Sequence, residues 1–397
     1  MKLNSMKNGL TRRQICTSAL ALAATLRVPA ISAYEIVPPP LGMRLSQDDI
    51  AAGKALLTKY VPIDLHSHPG KFHADLENPT DYEKWVIEAS GGGLGSFVEQ
   101  TLEQLKAVSP IITHIAAVSD RALLGVKDKP LRIAAVREFD SGEAYIDHKR
   151  QLNKIRGLIR EFDLLHIKSF ADINDVSQDS RVGIIMSCEG ADFLEGKLER
   201  VQEAHENGIR SIQLVHYHIN ELGDIQTDPP RHEGLSQFGK QVISEMNRLG
   251  LIIDMAHASE KAVSDAARLS SHPLVLSHSS LHSKKPYHPR HISKYHAQLI
   301  ADTGGVIGAW PAGISSKSFA DYVDEIEALI AAVGIDHVAL GTDMDSNYRP
   351  VFNEYAKFYL IPAALFSRGY SEQDIAKIVS HNFLRVFKDV TKASSQV

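Results

Sequence analysis

Short apolar runs rich in Val and Ile recur along this chain, at 61–65, Ile111–Val118, 183–187, 211–215, 251–255, 274–277, 305–309 and 338–341. Each has the length of a strand buried on both faces. Helical patterns fill most of the intervals. Phe238, Val242, Met246 and Leu249 recur at helical spacing and lead directly into the run at 251–255. Ser259 stands where an N-cap is needed for a next helix carrying Val263, Ala266 and Ala267. Parallel strands need long crossovers, and helices supply them, so eight such runs predict a (β/α)8 TIM barrel of the α/β class. An open doubly wound sheet is the alternative, but no GxGxxG follows a strand. Residues 34–43 are Pro-rich and read as a surface lead-in. The stretch 75–95 breaks the rhythm with Pro79 and Gly91-Gly92-Gly93, which predicts an insertion, near 69–109, at the barrel mouth. Without repeats or a second composition, 34–397 reads as one catalytic barrel domain.

The first 33 residues read differently. Thr11-Arg12-Arg13-Gln14-Ile15 precedes an Ala-rich, mildly apolar run from Cys16 to Leu26, and Ala30-Ile31-Ser32-Ala33 has the small residues of a cleavage site. A paired arginine before a weak apolar core suggests twin-arginine export to the periplasm or beyond; the alternatives are a Sec signal or a retained basic helix. The run is too short to span a bilayer, and the polar tail 392–397 carries no anchor signal. Losing this segment removes Lys2, Lys7, Arg12, Arg13 and Arg27 and no acid, taking the formal charge from −5 to −10. That argues against nucleic acid or an anionic membrane as partner. It also leaves Cys188 as the one cysteine, so no intrachain disulfide can form.

The chemistry lies at the ends of the apolar runs. His66 and His68 end the first; two residues apart on a strand, they face one way. Glu189, His216, His257, His278 and Asp343 follow later runs, so six of the eight candidate strands finish in histidine or an acid. In a barrel those ends share one mouth. A lone histidine after a strand is commonly structural, but independent structural histidines have no reason to gather at one end. The grouping of His66, His68, Glu189, His257 and His278 therefore predicts a metal centre. Imidazole and carboxylate without thiolate suit zinc best, with other divalent metals open. The set exceeds what one catalytic zinc needs, which points to two ions sharing Glu189 with a hydroxide between them.

Several blocks of this chain resemble the membrane dipeptidase (renal dipeptidase) family, peptidase family M19. They include Cys188-Glu189-Gly190, Leu214-Val215-His216, Met246-Asn247-Arg248-Leu249-Gly250, Asp254-Met255-Ala256-His257, Ser277-His278-Ser279-Ser280 and Gly341-Thr342-Asp343. The resemblance is dense from about 180 to 390 and thin from 70 to 180. It implies that His66 with Glu189 holds one zinc and that Glu189 with His257 and His278 holds the other. It further implies that His216 stabilises the oxyanion, that Arg290 in His288-Pro289-Arg290-His291 binds the substrate carboxylate, and that Asp343 is the acid/base. His218 is a rival to His216. One departure stands out. The family has His-x-Asp on the first strand, whereas this chain has His66-Ser67-His68, which alters the charge of the site.

The expectation is a zinc-dependent dipeptidase that hydrolyses dipeptides with a metal-bridging hydroxide, a small-molecule substrate being its partner and a homodimer compatible with it. Two alternatives differ in class: a related amidohydrolase acting on N-acyl amino acids, β-lactams or lactones, and a non-catalytic metal-binding protein of the same fold.

Overall fold

A computed structural model describes residues 40–75, 77, 79–84, 94–128, 131–282, 288–314, 316–347 and 349–392. The expected export segment, Cys16 and the triple glycine 91–93 lie outside the described residues.

Eight parallel strands follow one another round a single sheet: β1 (Ile63–Ser67), β2 (Ile111–Val118), β3 (Val182–Glu189), β4 (Ile209–Gln213), β5 (Ile252–Asp254), β6 (Val275–Leu281), β7 (Val306–Ala309) and β8 (Val338–Leu340). The ring closes between the end of β1 and the segment after β8. Asp343 N–H donates to His66 O at 2.9 Å, and His68 N–H donates to Met344 O at 2.9 Å. The fold is the (β/α)8 barrel expected from the eight runs, and its seam runs through three of the predicted site residues.

The helices form where the sequence supplies both a cap and a stripe. Ser236 opens the helix Gln237–Leu249 by accepting from Gly239 N–H, and Gly250 closes it at φ 68°. Val242, Ile243, Met246 and Leu249 are its buried face. Ser259, Ser293 and Ser318 cap the helices Glu260–Leu269, Lys294–Asp302 and Phe319–Val333 in the same way. Inside the ring, Ile63, Ile112, Ile252, Val275 and Val306, at or near the strand starts, pack on Phe383, Val386 and Phe387 of the helix Asn382–Thr391. That helix fills the bottom of the barrel and leaves the strand ends to the polar residues.

Some strand bounds differ from the sequence reading. β1 begins and ends two residues later than the run at 61–65, so His66 lies inside it. β4 ends at Gln213, and His216 stands on the following loop. β6 runs to Leu281 and contains His278. Each shift follows hydrogen bonds to neighbouring strands, which hydrophobicity does not record. An antiparallel pair at Leu124–Asp128 and Leu131–Ala135, unforeseen from the sequence, interrupts the β2–β3 connection.

Between β1 and β2 lie the short turn Pro69–Lys71 and the helix Leu94–Ala107. His73, Ala74 and Glu83 of this connection are tied to the barrel. Arg121, just after β2, forks onto Glu83 at 2.8 and 2.9 Å and meets Asp147 at 3.0 Å. Lys154 donates to Ala74 O at 2.8 Å, and Arg150 donates to His73 O at 2.7 Å.

Candidate metal centre

Glu189 ends β3 pointing into the mouth, and five imidazoles surround it. His66 Nε2, His216 Nε2, His257 Nε2 and His278 Nε2 lie 3.3, 3.4, 3.4 and 3.7 Å from its Oε1. His68 Nε2 is 3.3 Å from its Oε2 and 3.6 Å from Asp343 Oδ1. All of these residues are buried. Three sets of potential ligand atoms fall within 4.8 Å of one another: His66, His68 and Asp343; His66, Glu189 and His278; Glu189, His216 and His257. The structure thus gathers all seven strand-end residues singled out in the sequence.

Backbone geometry brings them there. His257 (φ 66°) and Asp343 (φ 53°) adopt the left-handed conformation that non-glycine residues avoid, at a cost of about 1–2 kcal/mol each. Both are held by main-chain bonds, Gln226 N–H to His257 O at 2.8 Å and Asp343 N–H to His66 O at 2.9 Å. Asp64 and Asp254 are buried clips rather than ligands. Asp64 accepts from Thr342 N–H at 2.8 Å and Tyr355 OH at 2.7 Å; Asp254 accepts from Ala256 and Ser277 N–H, each at 3.0 Å. Gly341 lets β8 approach β6, since a Cβ there would stand 1.7 Å from Ser277 O.

The donor set fits divalent cations. His68 Nδ1 must donate to Ala116 O, 3.0 Å away, because a carbonyl only accepts, and this turns the lone pair of neutral Nε2 toward Glu189 and Asp343. His66 and His68 meet Nε2 to Nε2 at 3.0 Å, as do His257 and His278. Such convergence of imidazole nitrogens calls for a proton or a cation between them. Burial alone would lower the pKa of His66, but the charge and hydrogen bond of Glu189, with Asp343 and Asp254, hold it up at about 9. A cation is therefore favoured at that point. Burial takes His68 down to about 4 and His257 and His278 well below the usual range, so these three stay neutral and available as ligands. Burial opposes ionisation of Glu189, yet His216 and His66 hold it well below the ordinary carboxylate range. Burial, opposed by His66 and reinforced by Glu189, raises Asp343 to about 7.

His216 belongs to the cluster and its rival does not. His218 points to Asp192 at 2.6 Å and Glu138 at 2.9 Å. Burial disfavours its charge, but those carboxylates raise it to about 9. Arg290 is 1% exposed and bonded through Nη1 to Gln226, while its Nε and Nη2 have no hydrogen-bond partner. It lies over Trp310, with 5.1 Å to the ring centroid.

Two residues at the site went unnoticed in the sequence. Trp310 directly follows β7 and donates Nε1–H to Asp343 Oδ2 at 3.3 Å. Asp120, wholly buried two residues after β2, accepts from His216 Nδ1 at 2.6 Å and Tyr217 N–H at 2.9 Å. The strand-end rule applied to β2 and β7 reaches both. Asp120 fixes which nitrogen of His216 faces Glu189. Asp120→Asn is expected to lower kcat roughly 10–100-fold, the usual effect of removing a carboxylate that orients such a histidine. Steady-state kinetics with metal analysis checks it; normal kcat would show that the pair does not orient His216.

A sequence model of the membrane dipeptidase family (peptidase family M19) matches residues 129–397. The chain belongs to this family. Among curated relatives of this M19 protein, dipeptidase aclJ of Aspergillus oryzae is 30% identical over 261 residues, 62% of this chain and 61% of that protein. Dipeptidase tcpJ of Claviceps purpurea is 29% identical over 228 residues, 55% of this chain and 53% of that protein. The matched part thus spans less than two thirds of either relative. A metallopeptidase structure from Rhodobacter sphaeroides, liganded with a phosphinate mimic of the dipeptide L-Ala-D-Ala, shares the fold. Its TM-score is 0.65 at 21% identity, covering 83% of this chain and 99% of that one.

Proposed function

We propose that this chain is a metal-dependent dipeptidase with two divalent cations, zinc foremost, in the cluster around Glu189. The observation that carries the substrate reading is Arg290. A guanidinium buried with two unpaired donor nitrogens beside a metal-binding cluster is complementary to a carboxylate, the group at the free end of a dipeptide. The two curated relatives named dipeptidases, and the phosphinate dipeptide mimic bound to the Rhodobacter sphaeroides protein, agree with it.

Cations held there would polarise the amide carbonyl and make water nucleophilic near neutral pH. Each residue then has a task. Glu189 would bridge the ions, with His66 and His68 on one side and His257 and His278 on the other. Arg290 would fix the carboxylate and so place the scissile carbonyl. His216, oriented by Asp120, would face the developing oxyanion. Asp343, held by Trp310, would take a proton from water and pass it to the leaving amine.

Converting the dipeptide carboxylate to an amide is expected to weaken kcat/KM roughly 10–100-fold in wild type, the worth of a charge-assisted hydrogen bond. Arg290→Ala is expected to discriminate little between the two substrates. Kinetics on such a pair tests the assignment, and equal hydrolysis of both by wild type refutes it. The paired arginines 12–13 and the small residues at 30–33 support export to the periplasm; fractionation of cells producing the full chain tests that.

A further inference from the structure

Tyr217 follows His216 on the loop after β4 and brings a phenol to the same mouth. Its ring centroid lies 4.5 Å from that of His216 and 5.0 Å from that of His257, the latter pair at an interplanar angle of 87°. Both histidines stand 3.4 Å from Glu189, so the ring borders the candidate metal centre. The histidines are buried, whereas Tyr217 is partly exposed. Its backbone is pinned twice: N–H donates to Asp120 Oδ2 at 2.9 Å, and the carbonyl accepts from Ala135 N–H at 3.4 Å.

Arg290 comes to the same neighbourhood from the segment after β6. Gln226 links the two: its side chain accepts from Arg290 Nη1, and its backbone N–H donates at 2.8 Å to the carbonyl of His257, against whose ring Tyr217 packs. Burial lifts the phenol to about 12 against the pull of the Arg290 charge, so it keeps its proton at neutral pH. A guanidinium only donates, so beside Arg290 the phenol oxygen can accept and its O–H must find an acceptor elsewhere. Among the described residues no carboxylate, carbonyl or hydroxyl is bonded to that O–H. A carboxylate seated on the unpaired Nε and Nη2 of Arg290 supplies such an acceptor.

We propose that Tyr217 donates its O–H to the substrate carboxylate beside Arg290, so that a phenol and a guanidinium hold the free end of the dipeptide together. This rests on the dipeptidase reading above and deepens it. Asp120 then sets two positions with one carboxylate: Oδ1 orients His216, and Oδ2 holds the backbone of Tyr217. The spacing between the scissile carbonyl and the terminal carboxylate is thereby built into adjacent residues.

The test measures kcat and KM of wild type and Tyr217→Phe on L-Ala-L-Ala, L-Ala-D-Ala and the C-terminal amide of each, with metal content read on the same samples. Phenylalanine keeps the ring against His216 and His257 and removes only the hydroxyl. On the free dipeptides kcat/KM is expected to fall roughly tenfold, through KM more than kcat. The amides should be affected far less, so that the preference for a free carboxylate shrinks, and metal content should match wild type. An unchanged KM for the free dipeptides in Tyr217→Phe overturns the inference and leaves the dipeptidase reading standing. So does an equal loss on free and amidated substrates, or a loss of metal, either of which makes the tyrosine a support for the histidines alone. Equal hydrolysis of free and amidated dipeptides by wild type overturns the inference together with the role of Arg290. Hydrolysis of none of the four overturns the dipeptidase reading and takes the inference with it.

Discussion

Asp343→Asn is expected to lower turnover roughly 10²–10⁴-fold, the worth of a positioned proton-transfer group. The carboxyl is poised for this. Burial and Glu189 push its pKa up and His66 draws it down, giving about 7, so both protonation states are accessible near neutrality. Its Oδ2 is fixed by Trp310 and its Oδ1 faces His68 at 3.6 Å. An amide keeps the shape but cannot shuttle the proton. Because Asp343 also lies within ligand distance of His66 and His68, metal content must be measured on the same sample. Lost turnover with retained metal supports the acid/base role, lost metal makes Asp343 a ligand, and normal turnover removes it from the mechanism.

Metal removal is expected to abolish hydrolysis, with re-addition of zinc restoring it and purified enzyme carrying close to two ions per chain. Glu189→Gln is expected to lose both metal and activity, since His66, His68, His257 and His278 all converge on this carboxylate within 3.7 Å. The stripped protein also has a proton signature. His66 titrates at about 9, so at pH 7.5 its imidazole is protonated and must lose that proton to bind metal. Loading should therefore release about one proton per chain from His66 at pH 7.5, on top of the proton from ionising metal-bound water, and the His66 share should fall as pH rises through 9. Calorimetric titration in buffers of different ionisation enthalpy measures this. Metal uptake without proton release at pH 7.5 would exclude His66 as a ligand, and active enzyme with only traces of metal would refute the two-metal reading.

The barrel was legible because strand and helix periods are local properties. Eight Val- and Ile-rich runs separated by capped amphipathic helices leave few architectures that bury every run. The metal cluster was legible for a related reason: parallel strands in a ring bring their ends to one mouth, so His66, His68, Glu189, His257, His278 and Asp343 could be grouped before any distance was known. The family resemblance added Arg290 and preferred His216 to His218.

Other features depended on contacts between segments remote in sequence. Asp120 and His216 are 96 positions apart and meet at 2.6 Å, and only the packing of β2 beside β3 and β4 creates that pair. Strand ends shifted because hydrogen-bond register is set by neighbours: β6 continues past His278, and the ring closes through His66, His68 and the Asp343 segment. Which carboxylates are free was equally hidden. Asp64, Asp254 and Asp345 lie in or beside the strand ends, but backbone and hydroxyl donors from elsewhere in the chain occupy them. Sequence determined the barrel and the residue types at its mouth, because periodicity and chemistry are carried by each segment alone. Tertiary structure decided which of those groups remain unpaired, because a hydrogen bond satisfied by a distant segment leaves no trace in the local pattern.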